Sequence, residues 1–197
     1  MSRLMQMAEE KAHERSITIA TYPAGQDMVV VEGRLVDRRL KDYYLVTGER
    51  RPAGEIHHMV VRLLIETAGF TIQDVEVDLV SVPRDECAEV GNSLDVIKGE
   101  KIAKGFSNRM KSLLGGIKGC THLVTLLIAM GPAALQGIFS RRAQKSMDMQ
   151  TLIADQARIK FFMKTLLNTC YVWRDDGPAM KRLREFIDNL QKKSGDR

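Results

Sequence analysis

The sequence has few cysteines and lacks a hydrophobic run long enough to cross a bilayer. The longest apolar stretch, Leu123–Met130, is far shorter than the roughly 20 residues that a transmembrane helix needs. The 3 cysteines are an odd number, and Met1–Arg15 is polar, without the apolar segment of a signal peptide. We therefore expect a cytoplasmic protein with no membrane span, whose thiols are free to bind metal or to react.

Several widespread functional motifs are also absent. The chain contains no Walker loop, no G-x-G-x-x-G fingerprint, no G-x-S-x-G elbow and no H-E-x-x-H pair. The commonest nucleotide-binding, serine-hydrolase and metalloprotease functions therefore have no support from the sequence.

The charge balance does not favour nucleic-acid binding. The net charge is +5, but the basic residues are spread among 25 acidic ones. Only Arg141-Arg142-Lys145 and the Lys181–Lys193 segment are locally basic, and we interpret both as solvated helix faces. A protein partner remains open, and neither a membrane nor nucleic acid is expected as a partner.

The sequence predicts strands in the first half of the chain. Met28–Arg38 is rich in β-branched residues and partly alternates, and residues 55–66 and 72–82 repeat that signal. In 55–66, alternation places His57 on the same face as Met59, Val61, Leu63 and Ile65, a face that should lie against helices. Ala68-Gly69 suits a hairpin, so we expect an antiparallel meander.

The sequence predicts helices in the second half. Because the strands come first and the helices follow, the order of elements predicts an α+β fold. The expected sheet has three strands or slightly more and is covered on one face by helices. We predict a single domain over 1–197, with a core at 15–140, a helical extension at 141–191 and a disordered tail at 192–197. The predicted helices are Cys87–Ile97, Ile102–Leu114, a helix from Cys120 or Thr121 that is interrupted at Gly131-Pro132, Met147–Leu167 and Pro178–Gln191.

The segment Gly119-Cys120-Thr121-His122 is the candidate chemical centre of the chain. Cys120 follows a glycine-rich break at a predicted helix start, where free backbone N–H groups stabilise a thiolate. His122 is close enough in sequence to share a metal with Cys120 or to polarise its sulfur. Cys87 also begins a predicted helix, and His57 faces the helical layer, so these four side chains would make a Cys2His2 set of the kind that zinc prefers.

Each of these residues also has a purely structural interpretation. A free cysteine is more often a small core residue than a ligand, and this holds most strongly for Cys170, beside Tyr171 and Trp173. His57 could equally be a hydrogen-bonded core histidine.

Taken together, several segments resemble a bacterial family known only as a domain of unknown function, with a G-C-T-H-L signature. The resemblance covers roughly residues 15–140, and the chain departs from the family pattern at His58 and Thr125. The matching segments are 31–37, 53–59, 72–75, Pro83 with Cys87, and 115–123. The polar positions that the resemblance implies are Asp37, His57, Cys87, Cys120, Thr121 and His122.

A weaker resemblance links the chain to iron-sulfur scaffold proteins of the NifU/IscU type and implies a SufE/NifU-like fold. In that comparison Cys87 and Cys120 fall near two of the three ligand cysteines. Glu55 falls where the remaining cysteine would be, and His57 falls where the scaffold's aspartate would be. The loss of that cysteine argues against an ordinary cluster scaffold and leaves zinc or a modified iron site.

Three functions follow as hypotheses. The first is a metal-binding or cluster-handling accessory protein that holds zinc or iron through His57, Cys87, Cys120 and His122. The second is an enzyme or sulfur carrier in which His122 activates Cys120 as the nucleophile. The third is a non-catalytic interaction module whose basic C-terminal helices bind an acidic partner.

Overall fold

The fold is α+β, with an antiparallel sheet in the first half of the chain and helices after it. The structure is a computed structural model that describes residues 2–144 and 156–195. The strands are β1 (His13–Ala24), β2 (Met28–Arg39), β3 (Tyr43–Tyr44), β4 (Arg50–Arg51), β5 (Gly54–Glu66) and β6 (Thr71–Ser81). The helices are a 3₁₀ helix (Asp85–Ile97), α1 (Phe106–Leu114), a short 3₁₀ turn (Gly116–Lys118), α2 (Thr121–Ala143), α3 (Gln156–Leu166) and α4 (Pro178–Gly195).

The main sheet has four antiparallel strands in the order β1-β2-β5-β6. The three predicted strands are confirmed as β2, β5 and β6, within a residue or so of their predicted bounds. Strand β1, an edge strand that pairs along its whole length with β2, was not predicted. The two-stranded ribbon β3-β4, which lies between β2 and β5 in the chain, was not predicted either.

The hydrophobic core lies between one face of this sheet and helix α2. On β5, the side chains of Met59, Val61, Leu63 and Ile65 are buried, as their alternation predicts. Helix α2 approaches β2 closely at Gly33, because a Cβ at Gly33 would lie 2.5 Å from the sulfur of Met130. The absent side chain therefore allows α2 to lie directly on the middle of the sheet.

The helices differ from the prediction in three ways. The segment from Asp85 to Ile97 is a 3₁₀ helix rather than an α-helix, and α1 begins at Phe106 rather than Ile102. The predicted break at Gly131-Pro132 is wrong, since α2 runs unbroken through it. Proline removes one helical hydrogen bond. Apolar side chains buried on both sides of this position stabilise the continuous helix: Leu126, Leu127, Met130, Ala134 and Ile138.

Because α2 continues past Pro132, it is longer than the apolar stretch that the sequence suggested. Within the described residues it is the one helix that has the length and hydropathy to span a membrane. Its apolar side chains, however, form part of the core beneath the sheet. Core helices of soluble proteins pass the same test of length and hydropathy, so this one helix does not identify a membrane protein.

The chain separates into two compact units, Met1–Arg142 and Ala143–Arg197. The boundary lies close to the start of the predicted helical extension, while the single-domain interpretation stays a prediction. The second unit contains α3 and α4, with Pro178 at the first position of α4 as expected. Helix α4 extends to Gly195 and so enters the predicted disordered tail. Residues 145–155, including the start of the predicted Met147–Leu167 helix, lie outside the described part of the chain, as do 196–197.

The basic pair at the end of α2 lies partly in solvent, as predicted, and both arginines also hydrogen-bond to backbone carbonyl oxygens. Arg141 donates hydrogen bonds to the backbone carbonyl oxygens of Gly25, Gln26 and Met28. Arg142 donates one to the carbonyl oxygen of Thr67. The two arginines therefore fix the β1–β2 and β5–β6 turns to the helix.

A glycine on α2 provides a test of how tightly the helix packs on the edge strand. A Cβ at Gly137 would lie 2.5 Å from Cβ of Thr21, an atom that cannot move without the backbone of β1. Glycine to alanine in a helix normally stabilises, but overpacking typically costs about 1–3 kcal/mol. We therefore expect Gly137→Ala to destabilise the protein in urea unfolding. Gln136→Ala, on the exposed side of the same helix, should change stability little, and a stabilising Gly137→Ala would contradict this packing.

Candidate metal centre

A row of polar side chains crosses three neighbouring strands at one end of the sheet. Arg15 of β1 pairs directly with Asp37 of β2, and Asp37 pairs directly with His57 of β5. Directly paired residues of adjacent strands project from the same face, so the three side chains lie side by side on the helix-covered face. The β2–β5 register shifts immediately after this row, between Asp37 and Arg38, and such bulges often re-aim side chains next to functional sites.

Helix α2 supplies a fourth side chain from its first turn. Cys120 immediately precedes Thr121, the first residue of α2, and its carbonyl oxygen accepts the hydrogen bond from the backbone N–H of Val124. His122 then lies over the row, with its ring centroid 3.8 Å from that of His57 and a tilt of 30° between the two rings. The G-C-T-H segment therefore brings an imidazole to the polar end of the sheet.

Asp37 is the centre of the group and is 2% exposed, the one buried charged residue in the described part of the chain. Its two carboxylate oxygens accept hydrogen bonds of 2.6 Å each from Nε and Nη2 of Arg15. The Arg15 guanidinium lowers the pKa of Asp37, and the resulting carboxylate is ionised despite its burial. His13, from the start of β1, brings its Nε2 to within 3.5 Å of Oδ1.

The two other imidazoles meet the opposite oxygen of the same carboxylate. Nδ1 of His57 lies 3.1 Å from Oδ2 of Asp37, and Nε2 of His122 lies 3.6 Å from it. Metal–ligand bonds of about 2.0–2.1 Å place two tetrahedral ligand atoms about 3.3–3.4 Å apart, and the two observed distances bracket that value. One ligand atom from each of the three residues lies within 4.8 Å of the others. Asp37, His57 and His122 therefore form a possible metal-binding group.

The protonation state of His122 suits a ligand. Its burial lowers the pKa of His122, and the nearby His57 and Arg15 lower it further. The imidazole is therefore neutral at neutral pH, which is the form that binds a metal ion. The other ring nitrogen of His122, Nδ1, faces away from Asp37 and lies 3.6 Å from the sulfur of Cys120. The thiol therefore helps to fix the orientation of the imidazole.

The structure brings together only part of the predicted ligand set. His57 and His122 meet at Asp37, and Cys120 touches the far side of His122. Cys87 is half-buried in the 3₁₀ helix, and among the described residues the metal-binding group contains neither cysteine. Their role as metal ligands stays a prediction. The expectation that Cys170 is a core residue is wrong, because its side chain is exposed.

Two residues of the site had no role in the sequence interpretation. Arg15 and His13 lie on β1, the strand that was not predicted. Their partner, Asp37, is more than twenty residues away in the sequence. Part of the signal for a strand was present in the sequence, since His13, Arg15, Ile17 and Ile19 share one phase of an alternating segment.

The pKa of His122 makes stability depend on pH. A histidine whose pKa is lowered by folding binds its proton more weakly in the folded than in the unfolded chain. Stability should therefore be greatest above the ordinary pKa of 6.5 and fall as the pH drops below it, towards the lower pKa of the folded state. Urea unfolding of the metal-free protein from pH 8 to 5 measures this fall. His122→Gln should flatten it in that range, and an equally steep fall in that variant would assign the effect to other groups.

The comparison with protein families covers the same part of the chain. A family model described as a protein of unknown function, DUF2889, matches residues 13–136, which is more than half of the chain. The chain belongs to the DUF2889 family. The matched DUF2889 region contains His13, Arg15, Asp37, His57 and His122, so the whole polar group lies within it. No curated protein and no solved structure matches this DUF2889 chain.

Proposed function

We propose that this DUF2889 protein is a cytoplasmic metal-binding accessory protein that holds one zinc or iron ion between Asp37, His57 and His122. The observation that carries the proposal is the convergence of Nδ1 of His57 and Nε2 of His122 on Oδ2 of Asp37, at 3.1 and 3.6 Å. Two imidazoles and one carboxylate are a ligand set for zinc, and also for iron(II).

Arg15 is compatible with this role. Carboxylate ligands of metals are themselves hydrogen-bonded by neighbouring groups, which fix their orientation. Each carboxylate oxygen has two lone pairs, so Oδ2 can accept the Arg15 hydrogen bond and still bind the ion. Binding requires the two imidazole nitrogens to replace their contacts with the carboxylate by bonds to the metal.

The ligand set favours a single ion over an iron-sulfur cluster. Clusters are held mainly by cysteine thiolates, and the group of Asp37, His57 and His122 contains none. Cys120 lies against Nδ1 of His122, on the side away from Asp37. From the resemblance to NifU-like proteins, the proposal keeps only a role in metal handling. The proposed ligands are one aspartate and two histidines, in place of the predicted Cys2His2 set.

Equilibrium dialysis of the metal-free protein against zinc and iron(II) tests the proposal. We expect one ion per chain, with the affinity lowered by at least about 10–100-fold in His57→Ala and in His122→Ala. His58→Ala is the matched control. His58 is the next residue of β5, and its Nδ1 contacts Glu55 rather than Asp37. Equal binding by wild type and His57→Ala would remove the proposal.

A second function has a specific observation in its favour. Nδ1 of His122 lies 3.6 Å from the sulfur of Cys120, and Nε2 lies 3.6 Å from the Asp37 carboxylate. A nucleophile, a base and an orienting carboxylate in this order could make Cys120 a reactive thiol, in an enzyme or a sulfur carrier. Iodoacetamide should then alkylate half-buried Cys120 faster than exposed Cys170, and His122→Gln should abolish the difference. Faster labelling of Cys170 in the wild type would reject this function.

A further inference from the structure

We propose that the metal-loaded site binds the oxyanion group of a small molecule, a carboxylate or a phosphate, between the metal ion and Arg15. The inference rests on the proposed metal site and adds the chemical class of its ligand. It follows from three features of the site: the free edge of the Arg15 guanidinium, the charge that a metal ion would add, and the direction in which the site opens.

Arg15 uses only one edge of its guanidinium. Nε and Nη2 form the side edge that holds Asp37, while the end edge, made by Nη1 and the second N–H of Nη2, makes no hydrogen bond to any described residue. That end edge is a pair of parallel N–H groups, which matches two oxygens of a carboxylate or a phosphate. Because Nη2 lies 2.6 Å from Oδ2, the proposed metal ligand atom, the Nη2 end of the free edge lies within about 5 Å of the ion.

The metal ion would leave the site with excess positive charge. Asp37 and Arg15 neutralise one another, and imidazoles that bind a metal ion are uncharged. A divalent ion then gives the site a net charge of about +2 in a partly buried place, where charge is poorly screened. Three protein ligands also leave at least one coordination position of zinc open. An anionic oxygen would both offset this positive charge and occupy the open coordination position.

The site opens towards β1, where Arg15 lies. The side chain of Asp37 is 2% exposed, whereas those of Arg15 and His13 are 36% and 49% exposed. The side chains of His57 and His122 are less exposed, at 16% and 26%, and the neighbouring core residues Leu35, Met59 and Leu123 are buried. The most exposed side of the site is therefore the one that carries Arg15 and His13, and an oxyanion bound there would meet the free guanidinium edge.

Cobalt(II) provides a direct readout, because its visible spectrum changes when a new ligand enters its coordination sphere. The full chain is loaded with cobalt, cobalt content is measured by dialysis, and sodium acetate and inorganic phosphate are titrated separately. We expect one of the two to change the spectrum, and Arg15→Lys to weaken that anion by about tenfold, the effect of losing one charge-assisted hydrogen bond. Arg34→Lys, on the strand face that carries His58, should bind the anion like wild type.

The outcomes separate the two proposals. A chain that takes up no cobalt overturns both. A chain that binds one cobalt but shows no change with acetate or phosphate overturns the oxyanion ligand alone, as does equal anion affinity in wild type and Arg15→Lys. Calorimetry of the metal-free wild type needs no variant. It should detect no binding of the anion that changed the cobalt spectrum, and equal affinity with and without metal would also overturn the inference.

Discussion

Replacement of Arg15 by leucine is expected to destabilise the metal-free protein by about 3 kcal/mol, towards the low end of the range for breaking a buried ion pair. Asp37 remains in its buried position in this variant, and its carboxylate loses both of its charge-assisted hydrogen bonds. The cost is moderated because Arg15 itself is 36% exposed. Most of the effect is the penalty of a buried carboxylate that has lost its cationic partner and keeps only its contacts with imidazoles.

Urea unfolding at pH 7.5 without metal measures this effect, with two controls. The double variant Arg15→Leu/Asp37→Leu should recover much of the lost stability, because it leaves no buried charge. Arg38→Leu breaks the exposed pair with Glu55 and should cost no more than about 1 kcal/mol. If Arg15→Leu lowered the free energy of unfolding no more than Arg38→Leu does, the buried Asp37 carboxylate would not depend on Arg15 for its stabilisation.

Zinc at a hundred times its dissociation constant is expected to stabilise the folded protein by about 2.7 kcal/mol, since the three ligands converge only in the folded chain. For a chain of this length the melting temperature should rise by about 5–10 °C. Differential scanning calorimetry with and without zinc, at pH 7.5 and in a buffer that does not chelate metals, gives the shift.

Variants show whether that shift comes from the proposed site. His57→Ala and His122→Ala should each lose most of the zinc-dependent rise in melting temperature. His58→Ala should keep it, because the contacts of His58 are to Glu55 and Arg34 on another part of the sheet. A rise that persists in His57→Ala and disappears in Cys87→Ala would place the ion elsewhere.

The sequence predicted the centre of the fold well because the central strands carry a regular pattern. Strand β5 places Met59, Val61, Leu63 and Ile65 in one phase, and that apolar face became the sheet side of the core. Strand β1 was missed because an edge strand needs little apolar surface, and its residues are mostly half-buried or exposed. Helix α2 was predicted to end at Gly131-Pro132 because local preference opposes proline, whereas packing against the sheet decides the outcome.

The site was predicted in part, for a similar reason. The G-C-T-H segment and His57 could be identified from residue type, helix position and strand phase. The role of Asp37 depends on the pairing of Arg15 with Asp37 and of Asp37 with His57, and strand register of this kind becomes visible only when the sheet is assembled. The cysteines drew attention because thiols are familiar ligands, but the three groups that converge are a carboxylate and two imidazoles.

Crystals of the full chain grown with one equivalent of zinc, with anomalous diffraction recorded at the zinc edge, test the metal site most directly. The account predicts one anomalous peak bonded at about 2.0–2.1 Å to an Asp37 oxygen and to one nitrogen each of His57 and His122. Arg15 should still hold the other oxygen of Asp37. A peak ligated by Cys87 or by surface residues, with Asp37 bound only to Arg15 and the histidines, would contradict the account.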